Sequence, residues 1–259
     1  MAQEPTPTAS HEARVDTRRV ATQIIGAVIV FEILLLGLDY VFNFFDVVGS
    51  LQIRRIFNIA RESSLPTWFS SLQAVGVAAT AAGMVWVERQ RGASRAVWGW
   101  GFVAGFFLYV GIDDAAEVHE RLGTAFSDAM PEASSFFTQF PSFSWHLFVA
   151  PVLGAALLAT AVLLWRLVPG RQVRRLVLLG LSCFLIAQGL DFLEGIDGLF
   201  DGWASSLDVE DYTVAHGFRA VEETLEMLGT TSFWAIILFQ LVEQTAGLRI
   251  TLDPDDERS

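Results

Sequence analysis

Apolar residues in this chain fall in long blocks, and polar residues collect where the blocks end. The blocks span residues 20–40, 65–87, 96–112, 144–167, 176–196 and 218–242. Each is near the ~20 residues that a helix needs to cross a bilayer core. The third and sixth reach full length only if their acidic ends are helical too. The pattern predicts an all-α fold, a polytopic membrane helix bundle of six transmembrane helices. Between the first two blocks, Ile53, Ile56, Phe57 and Ala60 recur at helical spacing beside Arg54, Arg55 and Arg61. That stretch, residues 51–60, predicts a short interfacial helix. Glu62-Ser-Ser-Leu-Pro66 reads as a cap and first-turn proline opening the second span. Residues 168–173 make a tight basic turn, whereas the connections 113–143 and 197–217 are long.

The two ends of the chain read differently from the middle. Residues 1–19 are polar, carry Pro5 and Pro7, and are expected to form a disordered cytoplasmic tail without a cleavage signal. Residues 20–243 form the transmembrane domain, and 244–259 an acidic cytoplasmic tail. Composition agrees with a membrane class: the chain is 53% hydrophobic, with mean hydropathy +0.44, 8 Trp and 21 Phe. The single cysteine, Cys183, lies in an apolar run and excludes both an intramolecular disulfide and a thiolate zinc site. No nucleic-acid partner is expected; the partner is the lipid bilayer.

All 17 basic residues are arginine, and their placement predicts orientation. With the N-terminus inside, the inner segments hold Arg14, Arg18, Arg19, Arg89, Arg91, Arg95, Arg166, Arg171, Arg174, Arg175, Arg249 and Arg258. The outer ones hold only Arg54, Arg55, Arg61, Arg121 and Arg219. The positive-inside rule then places both termini in the cytoplasm of a multi-pass plasma-membrane protein.

Candidate chemistry concentrates at the outer ends of the spans. After the third block the chain runs Asp113-Asp-Ala-Ala-Glu-Val-His-Glu120. If the helix continues, Asp113, Glu117 and Glu120 share one face, flanked by Asp114 and His119. Gln188, Asp191 and Glu194 line the fifth span at spacings of three. His216, Arg219, Glu223, Glu226 and Thr230 form a stripe on the sixth, with Glu222 beside it. On the first span, Glu32 lies well inside the bilayer, and Asp39, Asn43 and Asp46 follow on its face. The outer acids outnumber the outer arginines, so the remainder must be solvated, protonated or bound to cations.

The sharpest reading of Asp113, Asp114, Glu117, His119, Glu120, Asp191, Glu194, His216, Glu222, Glu223 and Glu226 is a divalent metal site. Mixed oxygen and nitrogen donors suit Zn, Mn or Fe. The bland reading is a wet helix end with Glu117–Arg121 and Arg219–Glu223 pairs. His146 and Cys183 read as structural, and Glu32 as a proton site, as a partner for an outer arginine, or as a hydrogen-bonded structural group. Arg54, Arg55 and Arg61 are candidate contacts for an anionic headgroup. The leading function is an outward-facing metal site, with a metal-dependent enzyme acting on a lipid or lipophilic substrate as its fuller form. The alternatives are a cation or proton transporter and a non-catalytic subunit of a membrane complex. A transporter needs a polar route across the inner half, where the spans carry almost nothing ionisable.

Three motifs carry a resemblance: Asn58-x-x-Arg-Glu-x-x-Leu-Pro-Thr-Trp-Phe-Ser-Ser71, Asp113-Asp-x-x-x-x-His-Glu120 and Glu222-Glu-x-Leu-Glu-Met-Leu-Gly229. Together they resemble an uncharacterised family of bacterial multi-span integral membrane proteins. In that family Asp-Glu is expected where this chain has Asp113-Asp114, a change that keeps the charge. The resemblance implies the architecture and the motif boundaries, and implies no substrate. The histidine pattern is too sparse to match the zinc ceramidase type of membrane hydrolase.

Overall fold

The computed structural model describes residues 16–45, 47–129, 143–194, 196, 198–208 and 210–246. The expected tail up to residue 15, the acidic tail from residue 247, Asp46 and Asp197 lie outside the described residues. Among the described residues there is no strand. The helices are α1 (Thr17–Asp39), α2 (Leu51–Phe57), α3 (Leu65–Gln90), α4 (Ser94–Ala116), α5 (Val118–Ala129), α6 (Phe143–Phe148), α7 (Ala150–Leu167), α8 (Arg171–Glu194), α9 (Leu199–Leu207) and α10 (Asp211–Thr245). A single π-helical segment, Tyr40–Phe44, extends α1. Among the described residues, six helical stretches are long and apolar enough to cross a membrane. The expected six-span bundle and the short helix before the second span are both present.

Local sequence explains the boundaries. Asp16 caps α1 by accepting from the Arg19 N–H at 3.1 Å. Ser64 caps α3, accepting from the Thr67 N–H at 3.3 Å, and Pro66 sits in the first turn, where its missing N–H costs nothing. The fourth apolar block is not one helix. It is divided at Val149 into α6 and α7, because Pro151 cannot donate the hydrogen bond that a continuous helix needs there. The long connections are partly helical. The amphipathic α5 follows α4, α9 fills part of 197–217, and α10 begins at Asp211, seven residues before the apolar run at 218. Thr213 and His216 thus enter the helix ahead of that run because tertiary contacts, not apolar periodicity, hold its first turns.

The long α10 is the spine. It packs against α8, α3, α1 and α9, while α3 pairs with α4, and α7 leans on α4 and α8. The main core unites Val77, Ala81, Met84, Trp100, Val103, Phe107, Leu164, Phe233 and Ile237, most of them in the half away from the acidic ends. Several close approaches need glycine, Gly111 and Gly180 among them. A Cβ on Gly111 would stand 2.9 Å from the Ser71 carbonyl oxygen, and one on Gly180 2.9 Å from the Phe233 ring. The outside of the bundle is apolar: Trp98 is 80% exposed, Val30 66% and Leu185 63%. Such surface is at home in lipid and expensive in water. At the end where α1 begins and α10 finishes, Arg91 Nη2 donates to the Gln244 carbonyl at 3.1 Å and ties α3 to α10.

Candidate functional site

The acidic parts of α4, α8 and α10 meet the first turns of α3 at the opposite end of the bundle. There the helix expected to run through Glu117 breaks. Glu117 adopts a left-handed conformation, φ 53° and ψ 39°, and its N–H caps α4 on the Asp113 carbonyl at 2.7 Å. Arg121 reinforces the break, donating Nε to the Ala116 carbonyl at 2.9 Å and facing Glu117 at 3.5 Å. The expected stripe of Asp113, Glu117 and Glu120 on one continuous helix is therefore corrected. The chain turns back on itself, so His119 comes to Asp113 instead. A non-glycine residue at positive φ is costly, and Ser63, φ 58°, is another at this end.

Asp113 is buried and fully engaged. Its Oδ1 accepts from the His119 N–H at 2.8 Å and from the Tyr109 hydroxyl at 3.3 Å, and its Oδ2 meets His119 Nδ1 at 2.8 Å. That contact orients the imidazole, whose ring packs edge-on against Trp145 with centroids 4.5 Å apart. Burial alone would lower the His119 pKa, but the hydrogen-bonded Asp113 carboxylate, with Glu120 and Asp191 behind it, raises it. Asp114 turns the other way and accepts from Ser71 Oγ at 2.9 Å.

Two adjoining cavities carry the remaining acids. The smaller, about 260 Å³, is lined by Asp113, Asp114, Glu117, His119, Glu120, Asp191, Glu222, Glu223 and Glu226 at its polar end. Phe106, Leu153, Leu157, Phe184 and Leu185 form its apolar wall. The larger, about 660 Å³, is lined by Glu194 and His216 among others, and shares Glu62, Glu120, Asp191, Glu222 and Glu223 with the first. The predicted residues of the third and sixth spans do converge. Glu194 and His216 stand apart from the smaller cavity.

In the sequence Glu62 reads as part of the cap before the second span and not as a ligand. In the structure Glu62, Glu117 and Glu120 each offer a carboxylate oxygen, all within 4.8 Å of one another. Glu62 is exposed at the rim. Partial burial of its carboxyl, a hydrogen bond shared with Glu117 and the charges of Glu120 and Glu117 raise its pKa to about 7, against the opposing pull of Arg219. The only signal in the sequence was its place between a short basic helix and a capped span, which does not reveal that it folds onto α5.

Other pairings differ from expectation. Arg219 joins Glu194 at 2.5 Å, not Glu223, because α8 presents its carboxylate across the groove. His216 Nε2 reaches Asp39 at 2.9 Å. His146 meets Asp191 at 3.3 Å and Gln188 at 3.2 Å, linking α6 to α8. Glu32 has no arginine partner among the described residues; it accepts from Gln73 Nε2 at 2.8 Å and from Thr231 Oγ1 at 2.5 Å. Arg61 lines the larger cavity, Arg54 Nη2 donates to the Asn43 carbonyl at 3.3 Å, and Arg54 and Arg55 line neither of these two cavities.

This arrangement defines a helical membrane-type protein with a carboxylate cluster at one end. The chain matches the family described as a domain of unknown function (DUF8692) over residues 21–241, and it belongs to that family. No curated protein and no solved structure matches it.

Proposed function

We propose that the acidic end of the bundle binds a divalent metal ion and acts there on a lipid or lipophilic substrate. The observation that carries this reading is the meeting of the Glu62, Glu117 and Glu120 oxygens within 4.8 Å of one another, beside a histidine already oriented by a carboxylate. Three like charges at that spacing favour a cation or shared protons. A carboxylate on one imidazole nitrogen is the usual outer partner of a metal-binding histidine. Mixed oxygen and nitrogen donors favour Zn, Mn or Fe over calcium.

The residues then divide the work. Glu62, Glu117 and Glu120 would hold the ion, and His119, which lines the same cavity with its ring fixed by Asp113, would supply a nitrogen donor. Glu223 and Glu226, from α10, stand in the same cavity as spare carboxylates able to hold or pass a proton. When bound, the metal would supply a polarised water or oxygen. The apolar wall offers an acyl or other lipophilic group a place beside the polar end. The arginine distribution supports both termini in the cytoplasm of a plasma-membrane protein, hence an outward-facing site. The transporter reading is weaker, since the opposite half of the bundle is filled by the apolar core.

Elemental analysis of the protein purified without chelator tests the proposal. Stoichiometric Zn, Mn or Fe, with melting raised by that metal, is expected. Protein without metal, and with melting unmoved by all three, would leave only solvated or proton-sharing acids.

A further inference from the structure

We propose that the smaller cavity opens sideways into the bilayer through a window between α7 and α8, and that the acyl chain of a bilayer lipid enters by it. The proposal rests on reading the acidic end as a centre for a lipophilic substrate, and not on which metal occupies it.

α7 and α8 form a hairpin closed by the tight turn between Leu167 and Arg171. Near that turn the two helices are well packed: Ala161 and Leu164 on α7 and Val177 on α8 are all buried in the main core. Toward the acidic end both helices lose their cover. On α8, Leu181 is half-buried and packs on the core, whereas Leu185, one turn further along, is 63% exposed. On α7, Leu157 is buried, Leu153 one turn further out is half-buried, and Gly154 is exposed. No residue of α7 before Leu157 is buried. Yet Leu153, Gly154, Leu157 and Leu185 all line the cavity. Residues that line a cavity and also meet the outside of the bundle mark an open wall. The window has a frame. Leu157 and Leu181 close it on the side of the core. On the side of the acids, His146 of α6 reaches Gln188 at 3.2 Å and Asp191 at 3.3 Å on α8.

The surroundings choose the occupant. Val152, Leu158 and Ile186 are exposed beside the window and belong to the apolar outside of the bundle. An opening continuous with that surface faces acyl chains, and a polar group would lose its hydration in reaching it. At about 260 Å³ the cavity is smaller than the ~300–1,000 Å³ that encloses a whole small ligand, so it takes part of one chain. A helix of a second copy, about 10–12 Å across, needs more room. The chain lies along Phe106, Leu153 and Leu157 and brings the polar part of its lipid to the acids. The larger cavity reaches the same acids from the other side, past the exposed Glu62 and Arg219. Lipid and water thus arrive at one cluster by separate routes.

The test is photo-crosslinking of the full chain in phosphatidylcholine nanodiscs. The photoreactive p-benzoylphenylalanine, placed at Phe184 on the cavity wall, should on irradiation gain the mass of one phosphatidylcholine. The same probe at the exposed Val30 reports lipid on the outside of the bundle. Gly154→Phe fills the window from a position where an added Cβ meets nothing within 4 Å. It should cut the Phe184 adduct at least fivefold and leave the Val30 adduct unchanged. Gly37→Phe, equally open but on α1, should change neither. No adduct at Phe184 while Val30 is labelled, an adduct indifferent to Gly154→Phe, or an equal loss from Gly37→Phe would each overturn the proposal. Phe106, on α4, takes the probe if the Phe184 variant does not fold. Metal content is measured on the same preparations. An adduct in metal-free protein supports the window while removing the metal reading, and bound metal without an adduct does the reverse.

Discussion

Asp113 holds His119 twice, by its backbone N–H and by its ring Nδ1, each at 2.8 Å. The backbone contact closes the turn after α4, and the ring contact aims the imidazole. Asp113→Asn removes the charge but not the shape, so the turn should survive while the ring loses its anchor. Metal affinity, measured by competition with a chelating dye, should fall about 10–100-fold. Unchanged affinity would exclude His119 as a ligand oriented by Asp113.

Glu62 and Glu120 come from different elements and meet only in the fold. Glu62→Gln and Glu120→Gln should each lower bound metal and the metal-dependent rise in Tm. The double variant should lose less than the sum, because both act on one ion. Strict additivity would mean that the two carboxylates serve separate sites.

The raised pKa of Glu62 gives the metal-free protein a pH signature. Its carboxyl ordinarily titrates at 4.5 and in the fold at about 7. A raised folded value favours the protonated form, so its contribution to stability is fully present below pH 4.5 and is lost as pH rises through about 7. In EDTA, Tm should decline across that window, and Glu62→Gln should flatten the decline. Because the residue is at the rim, solvent screening keeps the effect modest. A Tm that climbs over the same window would contradict the origin assigned to the shift.

Gly111 lets α3 and α4 touch directly beneath the site, where an added Cβ would lie 2.9 Å from the Ser71 carbonyl. Gly111→Ala should destabilise the bundle by about 1–3 kcal/mol, the usual range for overpacking. It should also disturb Asp114, which accepts from Ser71. Gly101→Ala, with open space around it, serves as the control. Equal melting of the two variants would show that the contact yields freely.

Orientation has a direct test. A fluorescent reporter active only in the cytoplasm, fused after Ser259, should light up if the arginine distribution governs insertion. A dark fusion, with a periplasm-active reporter bright instead, would turn the acidic end to the cytoplasm.

The sequence by itself determined the class of fold, through six apolar blocks of bilayer length, and the cap at Ser64 with Pro66 behind it. It also determined that the acids lie at one end, since alternating spans bring the acidic ends of the third, fifth and sixth together. Local signals suffice for these because they depend on chain length, local hydrogen bonding and the cost of burying charge. Only the tertiary structure decided which acids meet. Glu117 breaks the predicted stripe by taking a left-handed conformation, Glu62 arrives from beyond the short basic helix, and Arg219 chooses Glu194 over its own-helix neighbour. His216, on the same helix as Glu226, is drawn to Asp39 on α1. These pairings turn on the rotation of each helix about its axis and on a single break after α4. Helical periodicity says which residues share a face, but packing against neighbours sets where that face points.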